Sequence, residues 1–525
     1  MSAHASMPAL ADSFGTLLAR HAVTWPNHPA YVEGERRVTW AQLHRRTDAL
    51  GRALRAAGVG PGDRVAMLAA DCIEVAELFL ACAKIGAIRV GINARLAARE
   101  IAHILEDSGP VQLFVQAEYS ALAGRALAQC KLAPAVVGFQ PDHGFEADYD
   151  DWIGRHDSEQ PLVPSPGDIA MLCYTTGSTG LPKGAIYPHQ GMLASIMAIA
   201  LCEGACHDDV WLHAMPAGGV PILHLLRNII HASTVAIVGP WDPERALEVI
   251  ERDRTTITVL VPTMISSLLG SGRIGQYDTS SMRQLGYGAS PLPPAAIREA
   301  MAAFGCPFLQ MFGTTELMGM STMLFPSDHA RGLAERPDIL ASAGKALPFV
   351  DLRIADDSGA ALPAGETGEL LVRSPFVIPG YWQAPEKYAE TVQDGWLHTG
   401  DMAFCDAEGY VTLVDRMKFR IKTGGYNVFP TEVENVLAEH PAVHEVSVIG
   451  LPDSEWGERI HAVVSLKPGG ALDLAAMKAF CADRIAGFKT PKGLDVWSEL
   501  PKGATGKILK RQIVEHFTQA SEPKA

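Results

Sequence analysis

The sequence predicts an α/β protein: a large N-terminal domain with parallel-type sheets flanked by helices plus a small antiparallel barrel-like part, followed by a small α+β C-terminal domain. Three observations predict it. Helix and strand signals alternate from about residue 39 to residue 313. After about residue 340 the texture turns to short alternating segments between Gly and Asp turns. A compact helix–strand–strand–helix unit then begins at about residue 416. A chain of 525 residues is too long for one ordinary core, which agrees with two domains drawn at 1–415 and 416–525.

In TWAQLHRRTDALGRALRAAGV (39–59), Leu43, Leu50, Leu54 and Val59 form a helical stripe, Thr39 and Gln42 stand at capping-box spacing, and Gly60-Pro61 ends the helix. DRVAML (63–68) reads as a buried strand, Glu74 to Lys84 as a helix and AIRVGI (87–92) as the next strand, so a parallel sheet is expected. The rhythm returns at 244–254 with 257–262, and at 293–305 with 308–313. VDLRIAD, GETGELLVRS and GYVTLVDR then alternate as antiparallel strands do. In the tail, 429–443 is a Pro-started helix, 445–450 and 460–467 are strands, and 473–485 is a second helix.

Composition narrows the function classes. Hydrophobic residues make up 48% and charged residues 20%, as in an ordinary globular protein. A net charge of -15 disfavours nucleic acid and anionic membrane as partners. The nine cysteines are scattered without metal-ligand spacing, which points to reduced thiols and a cytoplasmic setting. No signal peptide is read at the start, and the apolar stretch 81–92 is short and broken by Lys84 and Arg89, so no integral membrane contact is expected.

The sharpest local signal is YTTGSTGLPKG (174–184), directly after the strand-like DIAMLCY. Gly177, Gly180 and Gly184 allow backbone N–H groups to converge as a nest for phosphate oxygens. Thr175, Thr176, Ser178 and Thr179 add hydroxyls and Lys183 a positive charge. The spacing is not GxxxxGK[ST], so no P-loop helix is expected after it. In MFGTTEL (311–317), Glu316 suits Mg²⁺, a hard ion, and Phe312 can stack on a purine; a helix-start glutamate and a core phenylalanine fit the same letters. Asp401 in HTGD can accept from ribose hydroxyls or simply close a turn. Arg416 and Lys418 lie at the domain boundary, before the Gly424-Gly425 loop. Lys507 in PKGATGKILK can neutralise charge on a pentavalent phosphorus, or be a solvated lysine between Lys502 and Lys510.

In this order the segments resemble the acyl-adenylate-forming (AMP-binding) enzyme family, in its acyl-CoA synthetase and aryl-CoA ligase branch. YTTGSTGLPKG, GYGASPLP (286–293), MFGTTE, HTGD, DRMK, GGYNVFPTEVE and PKGATGKILK match its motifs from about residue 14 to Lys510. The resemblance implies an adenylate-forming domain over 1–415 and a mobile lid over 416–525 that carries the catalytic lysine, Lys507. It implies β,γ-phosphate contacts from Thr175 through Lys183, nucleotide contacts from Gly288, Ala289, Ser290, Phe312, Gly313 and Thr314, and α-phosphate or carboxylate contacts from Thr315. Mg²⁺ falls to Glu316, ribose to Asp401 and Arg416, the hinge to Lys418 and the thiol tunnel to Gly424 and Gly425. The sequence departs from the pattern at Phe419, where an acidic residue is frequent, and at Gly219, where a Pro-x-x-His histidine is frequent.

The implied reaction is ATP-dependent ligation of a carboxylic acid to coenzyme A through an acyl-adenylate. The acid pocket is expected along Trp211–Ile222, Gly286–Ala289 and Met311–Met320, with His213, Met215, Gly219, Gly286 and Met311 as named members. No Arg or Lys stands inside these segments, so an aromatic or medium-chain monocarboxylate is favoured over a dicarboxylate. An acyl-carrier protein as thiol donor, and a non-catalytic nucleotide-binding module, are the alternatives; a homodimer stays open.

Overall fold

Thr39 caps the helix Trp40–Ala56 as its spacing predicts: its side chain accepts from Gln42 N–H, and Gln42 returns the bond to Thr39 N–H. The strand Arg64–Ala69, the helix Ile73–Ile85 and the strand Ile88–Asn93 follow, with the two strands parallel and in register from Arg64↔Ile88 to Ala69↔Asn93. The computed structural model describes residues 13–158, 160, 162–163, 167–175, 182–290, 292–416, 419–423, 426–453, 456–482, 484–503 and 508–519. The chain divides into two compact units, Met1–Asp351 with Val372–Leu397, and Leu352–Leu371 with His398–Ala525.

The first unit holds two large sheets. One runs from Ala147–Asp148 through Ala135–Phe139, Gln112–Gln116, Arg64–Ala69, Ile88–Asn93 and Ile169–Thr175 to Lys183–Pro188; only the last strand is antiparallel to its neighbour. The other holds Phe308–Phe312, Gln284–Gly288, Ile257–Leu260, Val210–His213, Thr234–Ile237 and Pro29–Glu33 as parallel neighbours, with antiparallel strands at its edges. A single apolar core joins the inner faces of both: Val65, Met67, Phe114 and Met171 from one, Tyr31, Trp211, Val235 and Ile257 from the other.

The helix Ile73–Ile85 is buried at every residue within this core. Its polar side chains are met individually. Arg46 and Tyr149 bind Glu77, Arg36 binds Glu74, and Lys84 donates to Asp48 Oδ1 (2.6 Å), Thr47 Oγ1 (2.8 Å) and the His44 carbonyl (3.0 Å). Burial still pulls the Lys84 ammonium down to about 8, against the attraction of Asp48.

The second unit takes most of a five-stranded sheet in which Asp351–Ala355, Gly368–Arg373, Trp396–Cys405 and Val411–Arg416 lie side by side, the last two antiparallel with Asp401 opposite Arg416. Its other sheet joins Tyr426–Val428, Ile421–Thr423, Gly457–Leu466 and Val443–Asp453, with Gly493–Val496 also on Gly457–Leu466. Packing places strands upstream of residue 416 in this unit, and Thr431 N–H donates to Asp415 Oδ2 (2.8 Å) within it. The tail helix is shorter than its sequence pattern, Pro430–Ala438 rather than 429–443. Pro441 cannot continue it and disfavours helical backbone at His440. Among the described residues no helix is long and apolar enough to cross a membrane.

Candidate active site

The glycine-rich segment connects two paired strands. Ile169–Thr175 and Lys183–Pro188 run antiparallel with Thr175 opposite Lys183, and a helix starts only at His189. This agrees with the reading that no helix is launched directly from the loop. Thr176, Gly177, Ser178, Thr179 and Gly180 lie outside the described residues. Lys183 projects its Nζ over the ring of Tyr381, 5.4 Å from the centroid.

Tyr381 in turn donates from its hydroxyl to Glu316 Oε1 (2.7 Å). Its segment adds to the Lys183–Pro188 strand: Trp382 N–H donates to the Gly184 carbonyl (2.7 Å) and Ile186 N–H to the Gly380 carbonyl (3.0 Å). Lys183, Tyr381 and Glu316 thus form a line from the hairpin to the carboxylate. Tyr381 was not singled out from sequence, because a Gly-Tyr-Trp run carries no chemical spacing of its own.

Glu316 sits in the short 3₁₀ turn Thr315–Leu317, after the strand Phe308–Phe312. Three carbonyls around it are held by three separate elements. Tyr187 Oη donates to Thr315 O (2.7 Å), Ile378 N–H to Glu316 O (2.8 Å) and Ser195 Oγ to Met318 O (2.6 Å). Met318 closes the turn in the left-handed region, φ +45°. Gly313 is obligatory, because a Cβ there would lie 1.8 Å from the Gly319 carbonyl oxygen. Among the described residues Glu316 Oε2 accepts no hydrogen bond, and the Thr314 hydroxyl is buried without a partner. Phe312, Thr314 and Thr315 are partly exposed, and Gly288, Ala289 and Ser290 end the neighbouring parallel strand, where open sheets bind ligands. No group of three or more His, Cys, Asp or Glu among the described residues could hold a metal, so Glu316 would share any ion with ligand oxygens and water.

Along the expected acid pocket, Met215 and Met311 are buried and Gly219 is partly exposed. A Cβ at Gly219 would meet only Pro221 Cδ, at 3.9 Å. Gly286 is wedged instead, with a Cβ there 2.8 Å from Val259 Cγ2. His213 is buried with Nε2 3.1 Å from Asp71 Oδ2. The segments themselves lack Arg and Lys, yet two buried guanidinium groups reach them from elsewhere. Arg89 Nη1 donates to the Ala217 carbonyl (3.1 Å), and Arg227 stacks over Trp211 at 4.8 Å while paired with Glu203. Both cations come from other elements, so the segments' own sequence carries no sign of them.

In the second unit Asp401 is 6% exposed within the strand Trp396–Cys405. Glu369 braces the HTGD segment: Oε2 lies 2.8 Å from His398 Nδ1 and Oε1 accepts from Gly400 N–H (3.0 Å). Thr399 Oγ1 accepts from Asp401 N–H (3.1 Å) and donates to the Leu370 carbonyl (2.7 Å). Glu369 was missed in the sequence because it is 29 residues away. Arg416 stands opposite Asp401 in the ladder, while Lys418, Gly424, Gly425 and Lys507 lie outside the described residues. On either side of Lys507, Lys502 and Ile508 form a bridge. Lys502 pairs with Glu445 (2.7 Å), and Lys510 pairs with Glu434 (2.8 Å) and lies over Phe419 (5.2 Å). A cleft of about 280 Å³ is lined by Thr423, Trp456, Gly487, Phe488 and Lys492, whose Nζ lies 3.5 Å from the Trp456 ring centroid.

Parallel sheets, the paired strands Ile169–Thr175 and Lys183–Pro188, the Lys183–Tyr381–Glu316 line and a separate tail sheet define an α/β protein with a cation and a carboxylate beside a glycine-rich segment. The AMP-binding enzyme profile matches residues 18–382 and the AMP-binding enzyme C-terminal domain profile residues 432–507; the chain belongs to the AMP-binding enzyme family. It is 36% identical over 509 residues to feruloyl-CoA synthase of Amycolatopsis sp, covering 96% of this chain and 99% of that one. It is 34% identical over 505 residues to the fatty acid–[acyl-carrier-protein] ligase ScoC of Streptomyces coeruleorubidus, covering 95% of each. Among solved structures, o-succinylbenzoate coenzyme A synthetase of Bacillus subtilis in complex with ATP and magnesium ion matches with a TM-score of 0.82 and 28% identity over 95% of this chain and 99% of that one. The chain is accordingly an AMP-forming acid–thiol ligase.

Proposed function

We propose that the chain activates an aromatic or medium-chain monocarboxylic acid with ATP and passes the acyl group to coenzyme A. The observation that carries this reading is the line Lys183–Tyr381–Glu316, which puts a cation and an oriented carboxylate beside the paired strand ends Thr175 and Lys183. In the first step the acid carboxylate attacks the α-phosphorus and pyrophosphate leaves. Lys183 and the glycine-rich segment 175–183 hold the departing phosphates. Glu316 Oε2 fits Mg²⁺, which supplies charge neutralisation on the phosphate oxygens. Phe312 offers a ring face to adenine, Asp401 and Arg416 take the ribose, and Thr315 the α-phosphate or carboxylate. Lys507 meets the charge developing at phosphorus.

In the second step a thiol attacks the acyl carbonyl and AMP leaves. Residues 416–525 act as the lid, turning about Lys418 so that the Gly424-Gly425 loop faces the thiol. The Trp456–Lys492 cleft supports coenzyme A, since it offers an aromatic face and a cation to a phosphorylated nucleotide. The similarity to ScoC favours a second reading, in which a carrier protein supplies the thiol. A cytoplasmic setting fits both. Pyrophosphate release across a carboxylic acid library, with coenzyme A, with acyl-carrier protein and with neither, tests them. Release that depends on acid, followed by AMP formation that depends on coenzyme A, is expected. Release independent of any acid would remove the adenylation reading.

A further inference from the structure

We propose that Asp71 and Arg89 clamp the backbone of Ala217 and thereby set which acids the site admits, an inference that rests on the adenylation reading above. Both residues belong to the seven-stranded sheet and its strand ends, whereas Ala217 follows the strand Val210–His213 of the nine-stranded sheet. Asp71 Oδ1 accepts from Ala217 N–H (2.7 Å), and Arg89 Nη1 donates to Ala217 C=O (3.1 Å). The two consecutive peptide units that flank the Ala217 Cα are therefore held, the first at its N–H by an anion and the second at its C=O by a cation. Asp71 Oδ2 lies against His213 Nε2, which ties the same carboxylate to the strand leading into the segment.

Backbone contact closes the arrangement. A Cβ at Gly91 would sit 2.4 Å from the Gly218 carbonyl oxygen, and one at Gly218 would sit 2.7 Å from backbone atoms of Ile92 and Asn93. The segment is thus pressed directly on the strand Ile88–Asn93. Gly219 comes next, partly exposed and without a side chain to shape the proposed acid wall. The backbone position fixed at Ala217 and Gly218 then decides how much room the wall leaves.

Energetics point the same way. Arg89 is 2% exposed, and among the described residues it has no ion pair within 4.0 Å and its Nε has no hydrogen-bond partner. Such a burial is unfavourable, and an apolar side chain of similar volume would be easier to accommodate. Burial lowers its pKa to about 10, which leaves it protonated at neutral pH. The hold on Ala217 accounts for a cation that stability alone does not explain.

Arg89→Met, Asp71→Ala and Asp71→Asn would be assayed by acid-dependent pyrophosphate exchange on straight-chain and aromatic monocarboxylates of graded size. Amide hydrogen exchange over 214–221 would be read alongside. In Arg89→Met, thermal stability is expected to hold. Discrimination between the best and poorest acids should fall by about tenfold or more, with KM for ATP within about twofold. Exchange over 214–221 should quicken. Asp71→Ala should behave alike, and Asp71→Asn, which keeps an acceptor for Ala217 N–H, should restore discrimination. A folded Arg89→Met protein with the parent's acid profile, or KM for ATP rising in step with KM for acid, would overturn the clamp. Arg89→Met decides the matter if Asp71→Ala does not fold. Absence of acid-dependent exchange in the parent protein would instead overturn the adenylation reading, and the selectivity role with it.

Discussion

The Tyr381 hydroxyl donates to Glu316 Oε1 across 2.7 Å, so a phenol anchored on the Lys183–Pro188 strand sets the direction of the proposed metal-binding carboxylate. A hydrogen bond to a charged group is worth roughly 1.5–3 kcal/mol. Tyr381→Phe should lower pyrophosphate exchange by about tenfold and raise the Mg²⁺ concentration at half-maximal rate. Glu316→Gln should do more, by about a hundredfold. An Mg²⁺ titration that is superimposable on the parent's would contradict the assignment.

Lys507 carries the adenylation step in the proposed mechanism. Lys507→Ala should reduce acid-dependent exchange by about a thousandfold, while thiol transfer from preformed acyl-adenylate stays within about threefold. Single-turnover measurement of each half-reaction separates the two. Equal losses in both would remove the assigned role.

The consecutive glycines of the acid wall should respond in opposite ways. Gly219→His meets open space, so stability should change by less than about 0.5 kcal/mol while large acids lose about tenfold in kcat/KM against small ones. Gly218→Ala forces a Cβ within 2.7 Å of the Ile92 and Asn93 backbone and should destabilise by about 1–3 kcal/mol. Urea unfolding of the pair, with an acid panel for the first, provides the check.

His189 is buried with both ring nitrogens unpartnered among the described residues, and burial lowers its pKa to about 4 from an ordinary 6.5. The unfolded chain therefore binds a proton between pH 6.5 and 4 that the folded chain refuses. Stability from this residue is complete above pH 6.5 and falls as pH drops towards 4, by about 3 kcal/mol in all. His189→Phe should flatten that part of the urea-midpoint profile against pH. An unaltered acid limb would show that other groups govern it.

The Trp456–Lys492 cleft makes a separable claim about the thiol donor. Trp456→Ala should raise KM for coenzyme A by about tenfold and leave acid-dependent pyrophosphate exchange unchanged. An unchanged KM for coenzyme A alongside turnover of acyl-carrier protein would favour the carrier reading.

Local rules made much of this architecture legible. The Thr39–Gln42 capping box, the strand–helix–strand over 64–93 and the absence of a helix directly after the glycine-rich segment follow from spacing, caps and β-rich runs read within a few residues of each other. Glu316 and Asp401 were legible as residue types in context, but the groups that hold them were not. Tyr381 is 65 residues from Glu316, and Glu369 is 29 from His398. Partners at such separations meet through sheet topology, which no short pattern encodes. Arg89 escaped for the same reason: it reads as one polar letter in an apolar strand until the Ala217 carbonyl arrives from another sheet 128 residues on. The tail helix was overread because its apolar period runs past Pro441, where the backbone cannot follow.

The helix Ile73–Ile85 lies inside a core shared by both large sheets, with no residue on the surface. This bears on any attempt at a minimal enzyme. Trimming the chain up to residue 86 would remove the common filling of two sheets rather than an outer layer, and the apolar faces left open would invite aggregation. Shortened versions of this protein should therefore be sought by trimming surface loops, with the helix Ile73–Ile85 and the strands that pack on it kept.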